Sequence, residues 1–137
     1  MANEIFVDTS GFYALLVQGD DRHAAAGRYL REARRRGRRF VTSDYVLDES
    51  ATLLKARGHV HLLCAFFDAV LASSTCQVEW TDCDRFDAVR AYFLKHADQA
   101  WSFTDCLSFV IMRELRLRDA LTKDSHFREA GFGALLK

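Results

Sequence analysis

Residues 5–11, which read IFVDTSG, join a short apolar run to an acid, two hydroxyl residues and a glycine. The run IFV is typical of a buried strand, and the apolar residues within 12–16 indicate a helix directly afterwards. Asp8 therefore lies where a strand ends and a helix begins. Ligands of open α/β sheets bind at this end of the strands, although Asp is also a favoured residue at a helix N-terminus.

The same alternation of strand and helix continues to the end of the chain. Strands are predicted at residues 4–7, 40–42, 76–80, 120–122 and 132–136. Helices are predicted around 12–16, over 21–36, from a cap at Ser43 or Asp44 to Gly58, over 61–71, 82–95 and 104–115, and in a short piece near Asp124. This alternation predicts an α/β fold, a three-layer α/β/α sandwich around a mostly parallel sheet. Nothing along residues 1–137 marks a boundary, so we expect a single domain.

Composition narrows the class of protein. The 19 basic and 19 acidic residues cancel, so any binding of nucleic acid has to come from a local patch of charge. The apolar runs are much shorter than the roughly 20 residues of a membrane helix, and we expect no membrane association. The four cysteines show no zinc-ligand spacing; Cys64 and Cys106 are expected in the core, and a reducing, cytoplasmic location is predicted.

Four acids fall at one edge of the predicted sheet: Asp8, Glu49, Asp105 and Asp124. Glu49 has the apolar Val46 and Leu53 as helical neighbours, so we expect its face to point toward the sheet. Carboxylates brought together in this way repel each other and are costly to bury, unless a cation neutralises them. Because the ligands are all oxygens, the predicted ion is Mg²⁺ or Mn²⁺, which would serve hydrolysis of a phosphodiester by activated water.

Each acid also has a structural alternative. Asp8 and Asp124 are good helix N-caps, and Asp105 fits a capping box that begins at Ser102. Capping and metal binding are compatible, because a carboxylate has two oxygens.

Four segments together resemble the ordered motifs of the PIN-domain ribonucleases, with the nearest likeness to the toxins of VapBC toxin–antitoxin pairs. The segments are residues 6–10 (FVDTS), 44–49 (DYVLDE), 102–109 (SFTDCLSF) and 121–127 (LTKDSHF), and the likeness extends over residues 5–136. The resemblance implies a five-stranded parallel sheet and Mg²⁺-dependent endonucleolytic cleavage of RNA. It also implies a homodimer and a small antitoxin partner that blocks the active site.

The resemblance also assigns roles to particular residues. Asp8 and Asp105 match the principal metal ligands, Glu49 an acid that ligates directly or through water, and Asp124 the variable fourth acid. Ser10 matches a hydroxyl that supports the first Asp. Lys123 departs from the small or apolar residues common at its position, and it either contacts phosphate or pairs with Asp124.

A basic cluster of seven arginines lies within residues 28–39 and includes Arg34, Arg35 and Arg38. These side chains suit RNA phosphates, but positive charge is also favoured at a helix C-terminus. The cluster precedes the second strand, opposite the acidic edge. Trp101 is expected in the core or an interface, or stacked on a base. The five histidines show no mutual spacing that suggests a metal site.

Two other functions remain compatible with these features. One is a non-catalytic PIN-like module that binds RNA or protein, which Lys123 and the basic cluster favour. The other is a housekeeping RNA-processing nuclease that has no antitoxin.

Overall fold

The structure is a computed structural model that describes residues 3–137. Five strands are present: β1 (Ile5–Val7), β2 (Phe40–Ser43), β3 (Cys76–Glu79), β4 (Asp119–Leu121) and β5 (Gly133–Ala134). Seven α-helices connect and follow them: α1 (Thr9–Leu16), α2 (His23–Arg35), α3 (Asp44–Ala56), α4 (Leu63–Leu71), α5 (Cys83–Lys95), α6 (Phe103–Glu114) and α7 (Ser125–Glu129). A 3₁₀ turn at Val60–Leu62 precedes α4.

All the strands are parallel, in the order β3-β2-β1-β4-β5. The predicted α/β fold with a five-stranded parallel sheet is therefore confirmed. Several boundaries differ from the prediction by one to three residues, and two elements also differ in form. The last strand is only two residues long, and the helix predicted over 61–71 begins as a separate 3₁₀ turn.

Strand order explains where ligands have access to this sheet. The chain moves from β1 to β2 and β3 in one direction and then returns to β4 and β5 beyond β1. Because crossovers between parallel strands are right-handed, this reversal places α1–α4 on one face and α5–α7 on the other. Contacts of α1 with α2 and α3, and of α6 with α5 and α7, agree with these layers. The C-terminal end of β1 is thus the switch point at which such sheets bind ligands.

Aromatic packing fixes the helices against the central strand. On one face, Phe6 of β1 packs against Phe127 of α7, and Phe127 meets Phe109 of α6 with ring centroids 5.0 Å apart. All three side chains are fully buried. On the other face, Phe12 of α1 meets Phe66 of α4 edge to face. The residues at the starts of α1, α6 and α7 are therefore held in fixed positions relative to β1.

The predicted burial of cysteines is half right. Cys106 is buried as expected, but the prediction for Cys64 is wrong, because its side chain is exposed. Phe66 and Val70 form the inward stripe of α4, and Cys64 lies two residues before that stripe begins. Within residues 3–137, no helix has both the length and the apolar character needed to cross a membrane.

Gly11 allows α1 to approach the sheet very closely. A Cβ atom at this position would lie 2.1 Å from the backbone oxygen of Leu121 and 3.2 Å from Cγ1 of Val7. The same Leu121 oxygen accepts a hydrogen bond from the backbone N–H of Asp8. Any side chain at residue 11 would therefore push α1 away from β4, at the residue where the acidic edge begins.

We predict that Gly11→Ala destabilises the protein by about 2 kcal/mol or more, because a backbone oxygen cannot move aside as a side chain can. The matched control is Gly19→Ala, since a Cβ atom there would meet nothing within 4 Å. Urea unfolding measures both changes, and the control is expected to shift stability by less than about 1 kcal/mol. Equal stability of the two variants would contradict the close approach at Gly11.

Candidate active site

The four predicted acids lie at the C-terminal edge of the sheet. Asp8 follows β1 and Glu49 lies in α3, while Asp105 is in the first turn of α6 and Asp124 is the N-cap of α7. The charges of Asp105 and Glu49 both act on Asp8. Asp8, Glu49 and Asp124 line one open cleft of about 530 Å³. The structure therefore brings all four acids into one neighbourhood.

Asp8 is held by a chain of hydroxyl groups. Its side chain is the most buried of the four, with 6% of the residue exposed. Thr122 donates its hydroxyl proton to Asp8 Oδ2 at 2.9 Å. Because a hydroxyl has only one proton to donate, Ser10, whose Oγ lies 3.0 Å from Thr122 Oγ1, must donate to Thr122. The backbone N–H of Lys123 then donates to Ser10 Oγ, so this chain runs from Lys123 to Asp8.

Burial dominates the electrostatics of Asp8. Removal from water, together with the smaller effect of the charges of Asp105 and Glu49, raises the pKa of the Asp8 carboxyl from 3.8 to about 7. The hydrogen bonds from Thr122 and from the backbone of Thr9 oppose this rise without cancelling it. A nearby positive charge would therefore favour the ionised form of Asp8 and lower its pKa.

Asp105 forms the predicted capping box and also contacts a histidine. Its Oδ2 accepts hydrogen bonds from the backbone N–H of Ser102 at 3.1 Å and from Nδ1 of His126 at 2.9 Å. The Ser102 hydroxyl accepts in return from the backbone N–H of Asp105. No group of residues 3–137 donates a hydrogen bond to Asp105 Oδ1. Capping thus occupies one oxygen of Asp105 and leaves the other for a ligand.

His126 lies between two of the acids. Its Nδ1 is 2.9 Å from Asp105 Oδ2 and 3.4 Å from Asp124 Oδ1. Partial burial lowers the pKa of His126, but the hydrogen bond to Asp105 and the charges of Asp124, Asp105 and Glu129 outweigh that effect and raise it above 6.5. Ligand atoms of Asp105, Asp124 and His126 all lie within 4.8 Å of one another, a grouping able to hold a metal ion.

The expectation that Glu49 faces the sheet is wrong. Glu49 is exposed, and its Oε1 accepts a hydrogen bond from the hydroxyl of Thr9 at 2.6 Å. The face of α3 that carries Glu49 therefore meets α1 and the cleft, and the buried residues of α3 are Val46, Leu47, Ser50 and Leu54. Glu49 keeps access to water, which suits a ligand that acts directly or through water.

Lys123 and Asp124 do not pair with each other. Asp124 Oδ1 caps α7 by accepting a hydrogen bond from the backbone N–H of His126. The same oxygen lies 3.4 Å from Nδ1 of the His126 ring. Lys123 is exposed at the cleft, and it makes no salt bridge within the part of the chain that the structure describes. Of the two roles predicted for Lys123, pairing with Asp124 is wrong, and contact with a substrate phosphate stays a prediction.

The basic cluster lies at the opposite edge of the sheet. Arg34 and Arg35 are exposed in the last turn of α2, and Arg38 precedes β2. Arg35 pairs with Glu32, and Arg38 contacts the backbone oxygen of Asn3 and the carboxylate of Asp119. Since the acids follow the strands and this cluster precedes one, it has no access to their cleft.

Trp101 is buried and stacks at 6.3 Å on Tyr92, so among its predicted roles the structure favours the core. Its indole N–H donates to Glu129 at 3.2 Å. The ring also meets Phe109 edge to face. It is not available as a platform for a base in this structure.

The arrangement of acids fits a divalent cation. Asp8 is a buried carboxylate whose charge a cation would stabilise, and Asp105 keeps one oxygen without a donor among residues 3–137. The donors are mainly carboxylate oxygens, with one imidazole nitrogen from His126. Oxygen ligands suit Mg²⁺ or Mn²⁺, and an imidazole is tolerated by Mn²⁺ and later transition metals.

Sequence reasoning missed three residues of this site: Thr9, Thr122 and His126. Each hydroxyl lies within two residues of a predicted acid and directly after or near the end of a strand, which is a usable signal. His126 follows Asp124 by two residues, on a helix of five residues, and it has no second histidine at a ligand spacing in the sequence. An acid–x–His spacing at a helix start would have found it.

Comparison with known proteins identifies the family of this chain. The PIN domain family model matches residues 5–133. The 23S rRNA-specific endonuclease VapC20 of two Mycobacterium tuberculosis strains is 35% identical over 129 residues, which cover 93% of this chain and 95% of that protein. The crystal structure of M. tuberculosis VapC20, a sarcin-ricin loop cleaving toxin, matches with a TM-score of 0.82 at 32% identity and covers 93% of this chain and 95% of that one. The chain therefore belongs to the PIN domain family, as its four motifs predicted.

Proposed function

We propose that this protein is a metal-dependent endoribonuclease that hydrolyses RNA phosphodiester bonds, and that it is the toxin of a toxin–antitoxin pair. The observation that carries the proposal is the buried Asp8, with its raised pKa, at the switch point of a parallel sheet and beside Asp105. Family membership and the named activity of VapC20 support the same reaction class.

Each side chain of the site has a role that follows from its position. Asp8, Asp105 and Asp124 would hold Mg²⁺ or Mn²⁺, with Glu49 in contact directly or through water. When bound, such a cation activates water and neutralises charge on the phosphate. Thr122 and Ser10 fix the Asp8 carboxylate through their hydroxyl chain, and His126 orients Asp105. Lys123 lies at the cleft without a salt bridge to any of residues 3–137, where it would meet substrate phosphate.

The substrate class, the partners and the cellular location are further proposals. VapC20 is named for cleavage of 23S rRNA, and we propose structured RNA as the substrate class here, because RNA is commonly recognised by its shape and loops. A small antitoxin partner, a homodimer and a cytoplasmic location are the further proposals that follow from the family resemblance. The alternative of a non-catalytic binding module is weakened, because Lys123 does not pair with Asp124 and the Asp124 carboxylate stays at the site.

We expect Asp8→Asn and Asp105→Asn each to lower RNA cleavage at least about a hundredfold, since each removes a charge that the cation requires. Total RNA is incubated with each purified protein in Mg²⁺, Mn²⁺ or EDTA, and discrete products are counted on a gel. Cleavage is expected only with wild type and metal. Wild-type cleavage that persists in EDTA would contradict a metal-dependent mechanism.

The matched control for these variants is Asp68→Asn. Asp68 is an exposed acid of α4, and it makes no salt bridge within residues 3–137, so the same chemical change there tests for a general effect of lost charge. Cleavage by this control is expected to equal that of wild type. If the three Asn variants behave alike, the acidic edge is not the reaction site.

The raised pKa of Asp8 predicts how stability depends on pH. A carboxyl whose pKa rises from 3.8 to about 7 on folding contributes stability below pH 3.8, and this contribution is lost as pH rises toward 7. In EDTA at pH 8, Asp8→Asn is therefore expected to be more stable than wild type by up to about 4 kcal/mol. Near pH 4 the difference is expected to shrink.

Thermal unfolding with and without Mg²⁺ measures this effect. Mg²⁺ at pH 8 should raise the Tm of wild type by neutralising the ionised Asp8, and it should raise that of Asp8→Asn much less. A variant that is less stable than wild type at pH 8 in EDTA would show that Asp8 is not strained by burial.

A further inference from the structure

We propose that Arg57, stacked on Tyr13 at the far side of the cleft, binds a backbone phosphate of the substrate RNA next to the one that is cleaved. The proposal rests on the proposed function for its substrate class. It assigns a binding site for an RNA phosphate outside the acidic residues, and it makes Arg57 a positioning residue.

The facing sides of α1 and α3 form one wall of the cleft. Thr9 and Tyr13 are one helical turn apart on α1, and Glu49, Leu53 and Arg57 follow one another at intervals of four residues along α3 and its C-cap. Residues spaced in this way share a face of their helix. Thr9 bonds Glu49 at one end of this wall, and Tyr13 contacts Arg57 at the other. All five side chains line the cleft.

Arg57 carries a charge that no carboxylate neutralises. The guanidinium lies 5.0 Å from the centroid of the Tyr13 ring, and within residues 3–137 it forms no salt bridge. Arg22, the other arginine at the cleft, differs because its guanidinium is tied to Asp21 and to the backbone oxygen of Leu136. Arg57 therefore keeps its donors for a ligand, and a guanidinium fits phosphate oxygens in bidentate fashion.

Tyr13 is fixed from two sides. Its hydroxyl lies 3.2 Å from Nε2 of His59, and the two rings meet edge to face with centroids 5.7 Å apart. Arg57 covers the ring as a cation–π partner. A guanidinium that rests on a fixed ring loses less freedom when it binds than a freely rotating one. This arrangement prepares Arg57 for binding more than it stabilises the fold, because an exposed cation–π pair contributes only about 0.5–1 kcal/mol.

The separation between Arg57 and the acids suits a neighbouring phosphate. Eight residues of helix separate Glu49 from Arg57, which corresponds to about 12 Å along α3. This separation of the backbone positions leaves room for an adjoining nucleotide, whose phosphate the guanidinium would meet. The acidic floor of the cleft repels the rest of the RNA backbone, so binding requires cations at its rim.

The test compares Arg57 with the basic cluster, which is the competing RNA surface. Arg57→Gln and Arg34→Gln remove the same charge, and both residues are exposed arginines without a salt bridge in the part of the chain described. Both substitutions are placed in the Asp8→Asn protein, so that RNA is bound and not cut. A fluorescein-labelled RNA carrying a stem-loop is the probe, and its Kd is measured from 50 to 300 mM KCl.

We expect Arg57→Gln to weaken binding about tenfold and to lower the slope of log Kd against log salt by about 0.7, the change for one lost phosphate contact on a single strand. Arg57→Lys should keep the slope, because it keeps the charge. Arg34→Gln should leave both quantities unchanged. A purely structural role for Arg57 would lower Tm without changing the salt slope.

Kinetics in the otherwise wild-type protein provide an independent measurement. Arg57→Gln should raise KM for cleavage of ribosomal RNA and leave kcat within about threefold, as expected when a contact is made equally in ground and transition states. If the protein proves not to cleave RNA, the proposed function fails while the binding measurement still tests Arg57. Unchanged affinity for Arg57→Gln, loss of affinity for Arg34→Gln alone, or no binding by the parent protein would each overturn the proposal.

Discussion

The desolvation of Asp8 is the constraint on which the rest of the site depends. β1 is flanked by β2 and β4, so a carboxylate placed directly after β1 is enclosed by strand ends and by the helices above them. Enclosure raises its pKa to about 7. A group in that condition binds either a proton or a cation, and the neighbouring acids favour a cation with more than one charge. The fold thus places carboxylates where a divalent ion would stabilise their negative charge.

The hydroxyl chain explains why this buried acid keeps a defined orientation. Thr122 is fully buried and has one proton, which it gives to Asp8, while Ser10 and the backbone of Lys123 supply the preceding donors. The chain crosses from α1 to the end of β4, two segments 112 residues apart in sequence. Gly11 permits the contact, because only a residue without Cβ lets α1 lie on the backbone of Leu121. Packing and electrostatics therefore depend on the same short segment, residues 8–11.

Much of the fold could be predicted from sequence, because alternation of short apolar runs with helical patterns is a local property. Asp8, Asp105 and Asp124 could be placed as well, since each follows a strand or stands at the start of a helix. Glu49 was misjudged, because helical periodicity shows which residues share a face without showing what that face meets. The partners of Thr9, Thr122 and His126 lie 40, 114 and 21 residues away, and pairing them requires the strand order, which the pattern does not contain.

Acidic and basic side chains occupy different regions of this molecule, although the net charge is zero. The 19 acidic and 19 basic residues cancel, yet the floor of the cleft is acidic while Arg57 and Lys123 at its rim are unpaired cations within the described residues. Salt screens exposed charges strongly and buried ones weakly. Raised ionic strength should therefore weaken phosphate binding by the exposed Arg57 and Lys123 more than it affects the buried Asp8. Substrate binding and the chemical step would then depend on separate parts of the cleft. In this proposal α3 carries both functions, with Glu49 near its middle and Arg57 at its C-cap, and the two turns of helix between them set their spacing.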